Sequence, residues 1–373
     1  MATFDLPEVN ISPSLLLMAA LRRDDRRGRR PDRAGQGARR QWSPRRLRQL
    51  EEGIAVPYVP IVDISADPDA VGAELDEICR TTGFFQITGH GISDDVAELA
   101  WMTATRFFNL PLDEKLSVAR PAPDYPYGYI PLAGESLNQS MTGAAPPDLK
   151  EVFNIGPPVP PAHQFVDPDE AWAYSPNLWP EALPELEAAW TAYYDAMREL
   201  SNCLMSLFAR GLGLPPGFFA GKTGQGPNAL RAINYPARDV APLPGQLRAG
   251  AHTDYGTLTI LRQDAVGGLE VLEPSGNWAD VESVPGAFVI NIGDLTARWT
   301  NDRWRSTLHR VVDPPDPPAA TARRQSMPYF QNANWSAGIS CLPTCLEPGE
   351  KPRYEPVLAG PHLMGKFRKS VTF

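Results

Sequence analysis

The segment GAHTDYGTLTIL, residues 250–261, places a histidine and an aspartate two positions apart in a run of β-forming residues. Histidine is scarce here, with five in 373 residues. Because side chains two apart on a strand point to the same face, we expect His252 and Asp254 to project together, with Thr253 on the other side. Such a pair fits a structural hydrogen-bonded pair, two members of a nucleophilic triad, or half of a metal site.

The second and third alternatives each need a further residue. A nucleophilic triad needs an activated serine or cysteine, and the sequence contains no G-x-S-x-G turn. A metal site needs a third ligand on a neighbouring strand, and His309 lies in the β-rich run RSTLHRVV, with 54 residues between it and Asp254. Two neutral imidazoles and one carboxylate on one side of a metal, with the other side open, are typical of non-haem iron(II) oxygenases.

A possible anion site follows fifteen residues after His309. The run RRQSMPYF, residues 323–330, contains Arg324 and Ser326 two apart, and therefore on one predicted strand face. A guanidinium group beside a hydroxyl suits a carboxylate. Tyr235, in the run INYP, can add a phenolic donor. On its own an R-x-S pair is weak evidence, but its position after the two histidines favours a carboxylate-binding site.

The chain is acidic overall but begins with a basic segment. It has a formal net charge of −9, whereas residues 22–48 contain twelve arginines and three acidic residues. That segment has no hydrophobic period, so we predict that residues 1–54 form a disordered, arginine-rich extension. Nucleic-acid binding proteins usually carry their basic patch on the folded domain. We therefore expect no nucleic-acid or membrane partner. We also expect a monomer with a small-molecule substrate.

Cysteine usage and hydropathy favour a cytoplasmic protein. Four cysteines in 373 residues are few and scattered, which argues against a disulfide framework and for a reducing compartment. The pair Cys341 and Cys345 lacks a second pair with zinc-type spacing, so a metal there is not expected. No stretch approaches the roughly 18–20 apolar residues that cross a membrane.

Helical and strand patterns occupy different parts of the chain. Helical periodicity marks residues 67–83, 93–110 and 181–210, and Ser93 or an adjacent aspartate is the candidate N-cap of the second helix. Short β-forming runs separated by Gly, Pro and Asn or Asp follow from residue 228. Helices first and strands later predict an α+β fold with a β-barrel or jelly-roll core. We expect an N-terminal helical and strand region over 55–165 and a catalytic core with a C-terminal helix over 166–373.

These motifs together resemble the isopenicillin N synthase-like family of iron(II)/2-oxoglutarate-dependent oxygenases. The similarity extends over about residues 55–373 and includes VPIVDIS, GFFQITGHGI, DLKEVFNIG, NIGDLTARWTND and the C-terminal GKFRKSVTF. It implies a double-stranded β-helix (jelly roll) buttressed by helices. It also implies that His252, Asp254 and His309 bind Fe(II), and that Arg324, Ser326 and Tyr235 hold the distal carboxylate of 2-oxoglutarate.

The resemblance implies an oxidoreductase that uses Fe(II), 2-oxoglutarate as cosubstrate and dioxygen. We expect hydroxylation, desaturation or ring formation at an unactivated C–H of a small molecule, in specialised-metabolite or antibiotic biosynthesis. Two alternatives remain: an iron oxidase or cyclase of the isopenicillin N synthase type that does not use 2-oxoglutarate, and a non-catalytic jelly-roll binding protein.

Candidate substrate contacts come from two places. Residues 120–148 are rich in Pro, Gly and Tyr, which is typical of a long functional loop, and Tyr127 and Tyr129 are predicted to act there as lid residues. Phe330 and Asn332 follow the R-x-S pair and are predicted to face the substrate.

Overall fold

A computed structural model describes residues 58–137, 146–238, 241–314 and 322–370. The predicted arginine-rich extension lies outside the described residues, so its disorder and the boundary at residue 54 stay predictions. Among the described helices none is long and apolar enough to cross a membrane.

Eight α-helices can be assigned in the described residues. α1 matches the first predicted helix: the Asp67 side chain caps it by accepting from the Ala70 N–H at 3.0 Å, and Pro68 follows at its first position. The helices are α1 Pro68–Thr81, α2 Asp94–Phe108, α3 Leu112–Leu116, α4 Pro168–Ala173, α5 Glu185–Gly211, α6 Ala220–Thr223, α7 Asp294–Trp299 and α8 Ala359–Ser370.

Fourteen β-strands are described, and ten of them follow residue 228, as the spacing of short β-forming runs predicts. They are β1 Ile61–Asp63, β2 Phe84–Thr88, β3 Gly128–Ile130, β4 Glu151–Ile155, β5 Ala229–Tyr235, β6 Ala249–His252, β7 Leu258–Gln263, β8 Leu269–Leu272, β9 Trp278–Asp280, β10 Phe288–Ile292, β11 His309–Val311, β12 Arg324–Gln331, β13 Gly338–Ile339 and β14 Val357–Leu358.

Two sheets form the jelly-roll core. The larger sheet has the strand order β1-β2-β10-β7-β12-β5-β4-β3, and the smaller has the order β6-β11-β8-β9. Their inner faces meet in one apolar cluster, to which the larger sheet contributes Phe84, Tyr235 and Val289, and the smaller contributes Val271 and Val311. The outer face of the larger sheet is covered by helices, above all the 27-residue α5. The predicted fold class is therefore confirmed.

Strand alternation decides which residues face the barrel interior. Along β12, Met327 and Tyr329 belong to the helix-covered core. Arg324 and Ser326 alternate with these residues and point into the barrel. The interior thus combines apolar walls with a few polar side chains.

Two details differ from the sequence-based expectations. Ser93 precedes α2 but forms no side-chain capping hydrogen bond, and the acidic residues Asp94 and Asp95 in the first turn complement the helix dipole instead. The predicted loop over 120–148 contains β3, which pairs with β4 at the edge of the larger sheet. The larger sheet contains strands from before and after residue 165. The predicted boundary between an N-terminal region, 55–165, and a catalytic core, 166–373, stays a prediction.

Candidate metal centre

The structure brings His252, Asp254 and His309 together at one end of the barrel. β6 and β11 are antiparallel neighbours in which His309 is paired with His252, and their ring centroids lie 4.3 Å apart. Asp254 Oδ1 lies 3.9 Å from His252 Nε2 and 3.8 Å from His309 Nε2. All three candidate ligand atoms lie within 4.8 Å of one another, which is close enough for one metal ion. In the described residues this is the only such group of histidine, cysteine and carboxylate side chains.

Backbone carbonyls orient both imidazoles. His252 Nδ1 lies 2.7 Å from the Gly250 carbonyl oxygen, and His309 Nδ1 lies 3.1 Å from that of Thr307. Since a carbonyl oxygen can only accept, Nδ1 of each ring carries the proton and Nε2 has a free lone pair. Both lone pairs are therefore available on the side of Asp254.

Side-chain donors orient the carboxylate of Asp254. Its Oδ2 accepts from Asn291 Nδ2 at 2.7 Å and from Thr259 Oγ1 at 2.5 Å. These two donors occupy one oxygen and leave Oδ1 directed at the imidazoles. Outer hydrogen bonds of this kind fix the rotamer of a metal ligand and are a regular part of metal sites.

The ionisation states suit a divalent cation. Burial, followed by the neighbouring His309, lowers the pKa of His252 well below its usual value. Burial alone would raise the pKa of Asp254, but the two histidines and the hydrogen bonds from Asn291 and Thr259 lower it below its usual value. The cluster is therefore a neutral imidazole beside an ionised carboxylate at neutral pH, the form in which these side chains coordinate metals.

The loop after β6, which contains Asp254, packs closely against the backbone at the start of α7. A Cβ atom on Gly293 would lie 2.1 Å from the Gly256 carbonyl oxygen, so no other residue type fits there. This approach lets the Asp294 N–H donate to the Asp254 carbonyl at 2.7 Å. The start of α7 therefore holds the backbone of the candidate carboxylate ligand.

The predicted anion site also assembles inside the barrel. Arg324 and Tyr235 are paired across β12 and β5, and the Arg324 guanidinium carbon lies 5.0 Å from the centroid of the Tyr235 ring. Arg324 donates to the Gly267 carbonyl at 3.0 Å and to Gln263 Oε1 at 2.9 Å, while its Nη1 is buried without a partner in the described part of the chain. Ser326 is 2 % exposed and points to the same side.

One of the predicted substrate contacts lies on the interior face. Phe330 is paired with Thr259, whose hydroxyl contacts the candidate ligand Asp254. From Phe330 to Ser326 the strand advances by four residues, roughly 13 Å, so β12 leads from the candidate metal centre to the candidate anion site.

The side chains of the other predicted contacts form hydrogen bonds to groups outside the candidate metal and anion sites. Tyr129 faces the helices, where its hydroxyl donates to Glu151 Oε2 at 2.5 Å. Tyr127 is buried, and its hydroxyl donates to the Ala173 carbonyl at 2.5 Å. The amide nitrogen of Asn332 donates to a backbone carbonyl next to β5. The predicted lid role of the tyrosines is therefore corrected: both are packed core residues whose hydroxyls already have acceptors.

Arg231 is a cation on the interior face that was not among the predicted site residues. Ile233 and Tyr235 of β5 pack in the apolar cluster between the two sheets. Arg231 precedes Ile233 by two residues on the same strand and therefore faces the barrel interior as well. Both carboxylate oxygens of Glu135 lie 2.8 and 2.9 Å from a single nitrogen, Nη2, and the Arg231 Nε is buried without a partner in the described residues. The same alternation rule that selected Arg324 would have selected Arg231.

Two family models match this chain. One, described as the N-terminal region of a non-haem dioxygenase in morphine synthesis, matches residues 59–182. The other, the 2OG-Fe(II) oxygenase superfamily, matches residues 227–333, which include the candidate metal ligands and the R-x-S pair.

Named relatives agree with these models. A 2-oxoglutarate-Fe(II) type oxidoreductase, hxnY of Emericella nidulans, is 35% identical over 323 residues, which cover 83% of this chain and 90% of the relative. The validamycin A dioxygenase of Streptomyces hygroscopicus is 34% identical over 298 residues, covering 75% of this chain and 78% of that enzyme.

A solved structure shares the fold. A full-length protein of Neurospora crassa, crystallised in complex with α-ketoglutarate, is 32% identical, covers 83% of this chain and 95% of its own, and superposes with a TM-score of 0.72. The same protein bound to α-ketoglutarate and thymine gives a TM-score of 0.71 at 32% identity, with 83% of this chain and 96% of that chain covered. The chain is thus a member of the isopenicillin N synthase-like iron(II)/2-oxoglutarate oxygenases, an oxidoreductase that uses Fe(II) and 2-oxoglutarate.

Proposed function

We propose that His252, Asp254 and His309 hold the catalytic Fe(II). One observation carries this proposal: Asp254 Oδ1 and the two Nε2 atoms converge, while the remaining polar atoms of these side chains are already hydrogen-bonded. Two neutral imidazoles and a carboxylate form a donor set that suits Fe(II) and leaves one side of the ion open for other ligands.

We infer that Arg324, Ser326 and Tyr235 bind the distal carboxylate of 2-oxoglutarate. The buried Arg324 guanidinium has one nitrogen without a protein acceptor, and burying such a donor unpaired is costly unless a ligand completes it. The salt bridges among the described residues give Arg324 no carboxylate partner. A carboxylate of the cosubstrate would supply both the missing acceptor and the missing charge.

The protein's contribution to the reaction is to bind, orient and exclude water. Bound Fe(II) and 2-oxoglutarate supply the oxidising chemistry, with dioxygen as oxidant and succinate and carbon dioxide as by-products. Phe84 packs edge-on against His309, with ring centroids 5.1 Å apart, and closes the apolar wall behind the metal ligands. Such a dry, shaped wall confines oxidation to the C–H that the site presents.

The substrate is proposed to be a small molecule that carries a carbonyl or carboxylate group. Arg231 and Phe330 face the interior and offer one charged and one aromatic contact. Relatives act on or bind small polar molecules such as validamycin A and thymine, which supports this size class. The similarity to the Streptomyces validamycin A dioxygenase supports a proposed role of this enzyme in antibiotic or specialised metabolism.

The protein is further proposed to act as a monomer in the cytoplasm. Its four cysteines are free thiols, and two of them are buried, which suits a reducing compartment. The candidate metal ligands and the candidate anion site are all supplied by one chain, so the proposed chemistry needs no second subunit.

The function is tested by substrate-stimulated turnover. Purified protein with Fe(II), 2-oxoglutarate and a small-molecule library is expected to consume oxygen and form succinate in equal amounts, and more rapidly when a substrate is present. Omitting 2-oxoglutarate should stop both signals. Substrate oxidation that continues without 2-oxoglutarate and without succinate would instead support an oxidase or cyclase of the isopenicillin N synthase type.

Replacing Arg231 with glutamine is expected to weaken substrate use selectively. A charge-assisted hydrogen bond contributes about 1.5–3 kcal/mol, so kcat/KM for the identified substrate should fall roughly 10- to 100-fold. Succinate formation without substrate and the affinity for 2-oxoglutarate should stay near wild type. Arg231→Lys keeps the charge and should recover part of the loss; unchanged kcat/KM in Arg231→Gln would remove this residue from the substrate site.

A further inference from the structure

We propose that Asp148 and Lys150 are positioning residues that set the orientation of His252 and thereby the affinity of the metal centre. This inference rests on the proposed role of His252 as an iron ligand. Both residues lie in DLKEVFNIG, outside the H-x-D…H pattern, and both are almost fully buried, with Asp148 and Lys150 each 2 % exposed.

Two hydrogen bonds connect Asp148 to the imidazole. Asp148 Oδ1 accepts from the Gly250 N–H at 2.9 Å, and the carbonyl oxygen of the same Gly250 accepts from His252 Nδ1 at 2.7 Å. The carboxylate thus holds Gly250, the residue whose carbonyl selects the tautomer of the ring and directs Nε2 toward Asp254. Outer partners of this kind raise ligand basicity and fix ligand geometry.

Lys150 holds that carboxylate in place. Its Nζ lies 2.9 Å from Asp148 Oδ2, and the same oxygen accepts from the Leu137 N–H at 3.1 Å. A second carboxylate, that of Glu135, lies 3.6 Å from Nζ. Without the ammonium group Asp148 would be a buried carboxylate with no cation at 2.9 Å, and its side chain would be free to rotate. Such a rotation would loosen its hold on Gly250.

The chain provides a matched control on the opposite face of the same sheet. Lys115 Nζ lies 2.8 Å from Glu151 Oε2, and the two side chains are 11% and 8% exposed. Glu151 directly follows Lys150 and begins β4, and alternation along the chain turns it toward the helices. This ion pair resembles Asp148–Lys150 in type and burial, but its hydrogen-bond partners are Tyr129, Asn234 and the Phe108 carbonyl, none of them bonded to a metal ligand.

The experiment compares Lys150→Met, Asp148→Asn and Lys115→Met as full-length proteins. Anaerobic titration with Fe(II), and with Co(II) as a spectroscopic probe, gives the metal dissociation constant and the visible ligand-field spectrum. Thermal unfolding of the metal-free proteins is measured in parallel. We expect Lys150→Met and Asp148→Asn to bind either metal roughly 10- to 100-fold more weakly, the typical effect of losing an outer-shell partner, with a shifted Co(II) spectrum.

Lys115→Met is expected to lower the melting temperature but to keep wild-type metal affinity and the wild-type Co(II) spectrum. Wild-type affinity and spectrum in both Lys150→Met and Asp148→Asn would overturn the inference, as would an equal loss of affinity in Lys115→Met. If Lys150→Met does not fold, the double variant Asp148→Asn/Lys150→Met, which leaves no unpaired charge, gives the same comparison. A wild-type protein that binds neither metal would refute the proposed iron site itself, which separates the two failures.

Discussion

Replacing Asp254 with alanine is expected to abolish Fe(II) binding and turnover. The substitution removes the only negative charge among the three candidate ligands and leaves two neutral imidazoles. It also leaves the Asn291 and Thr259 donors without their shared acceptor. Losing a ligand should cost more than the roughly 10- to 100-fold in metal affinity that loss of an outer-shell partner costs.

Anaerobic Fe(II) titration and succinate formation measure this loss. Thr253→Val is the matched control, because Thr253 lies between the two candidate ligands but points to the opposite face, where its hydroxyl is 3.3 Å from Asp294 Oδ2. It should bind Fe(II) like the wild type. An Asp254→Ala protein that retains Fe(II) and full activity would show that the triad is wrongly assigned.

Short-range regularities in the sequence carried most of the information about the site. The i, i+2 spacing placed Arg324 with Ser326 on one face of β12 without any knowledge of strand pairing. His252 and Asp254 do lie together, but not on one strand as predicted: β6 ends at His252, and Asp254 lies in the loop that follows it. The pairing of His309 with His252 across β6 and β11 needed the family resemblance, since the 56 residues between them can return to a sheet in many registers. Helical period placed α1 within two residues of its observed ends.

Contacts between distant segments could not be predicted from the sequence. Asn291 of β10 reaches Asp254, and Asp148, in the segment before β4, reaches Gly250; nothing in their local sequence identifies these partners. Composition also misled at Tyr127 and Tyr129, because a run rich in Pro, Gly and Tyr indicates a loop but not the side to which its tyrosines turn. Burial and available acceptors decided that orientation.

Replacing Arg324 with alanine is expected to raise the 2-oxoglutarate requirement far more than it affects Fe(II) binding. Removing one partner of a buried, hydrogen-bonded charge pair costs about 2–5 kcal/mol, which corresponds to roughly a 30-fold to several-thousand-fold higher half-saturating concentration. Tyr235 and Ser326 remain and should preserve residual binding. Fe(II) affinity should change little, because the hydrogen bonds and ring contact described for Arg324 involve no candidate metal ligand.

The adjacent Arg323 provides the control for this prediction. Its Nε donates to Asn234 Oδ1 at 2.6 Å, and alternation along the chain turns it away from Arg324. Arg323→Ala should therefore keep the wild-type 2-oxoglutarate requirement, although its stability can fall. Succinate formation measured over a range of 2-oxoglutarate concentrations separates the two variants. Equal requirements in Arg324→Ala and wild type would mean that the cosubstrate carboxylate binds elsewhere, and the buried Arg324 would then be a structural residue of the barrel.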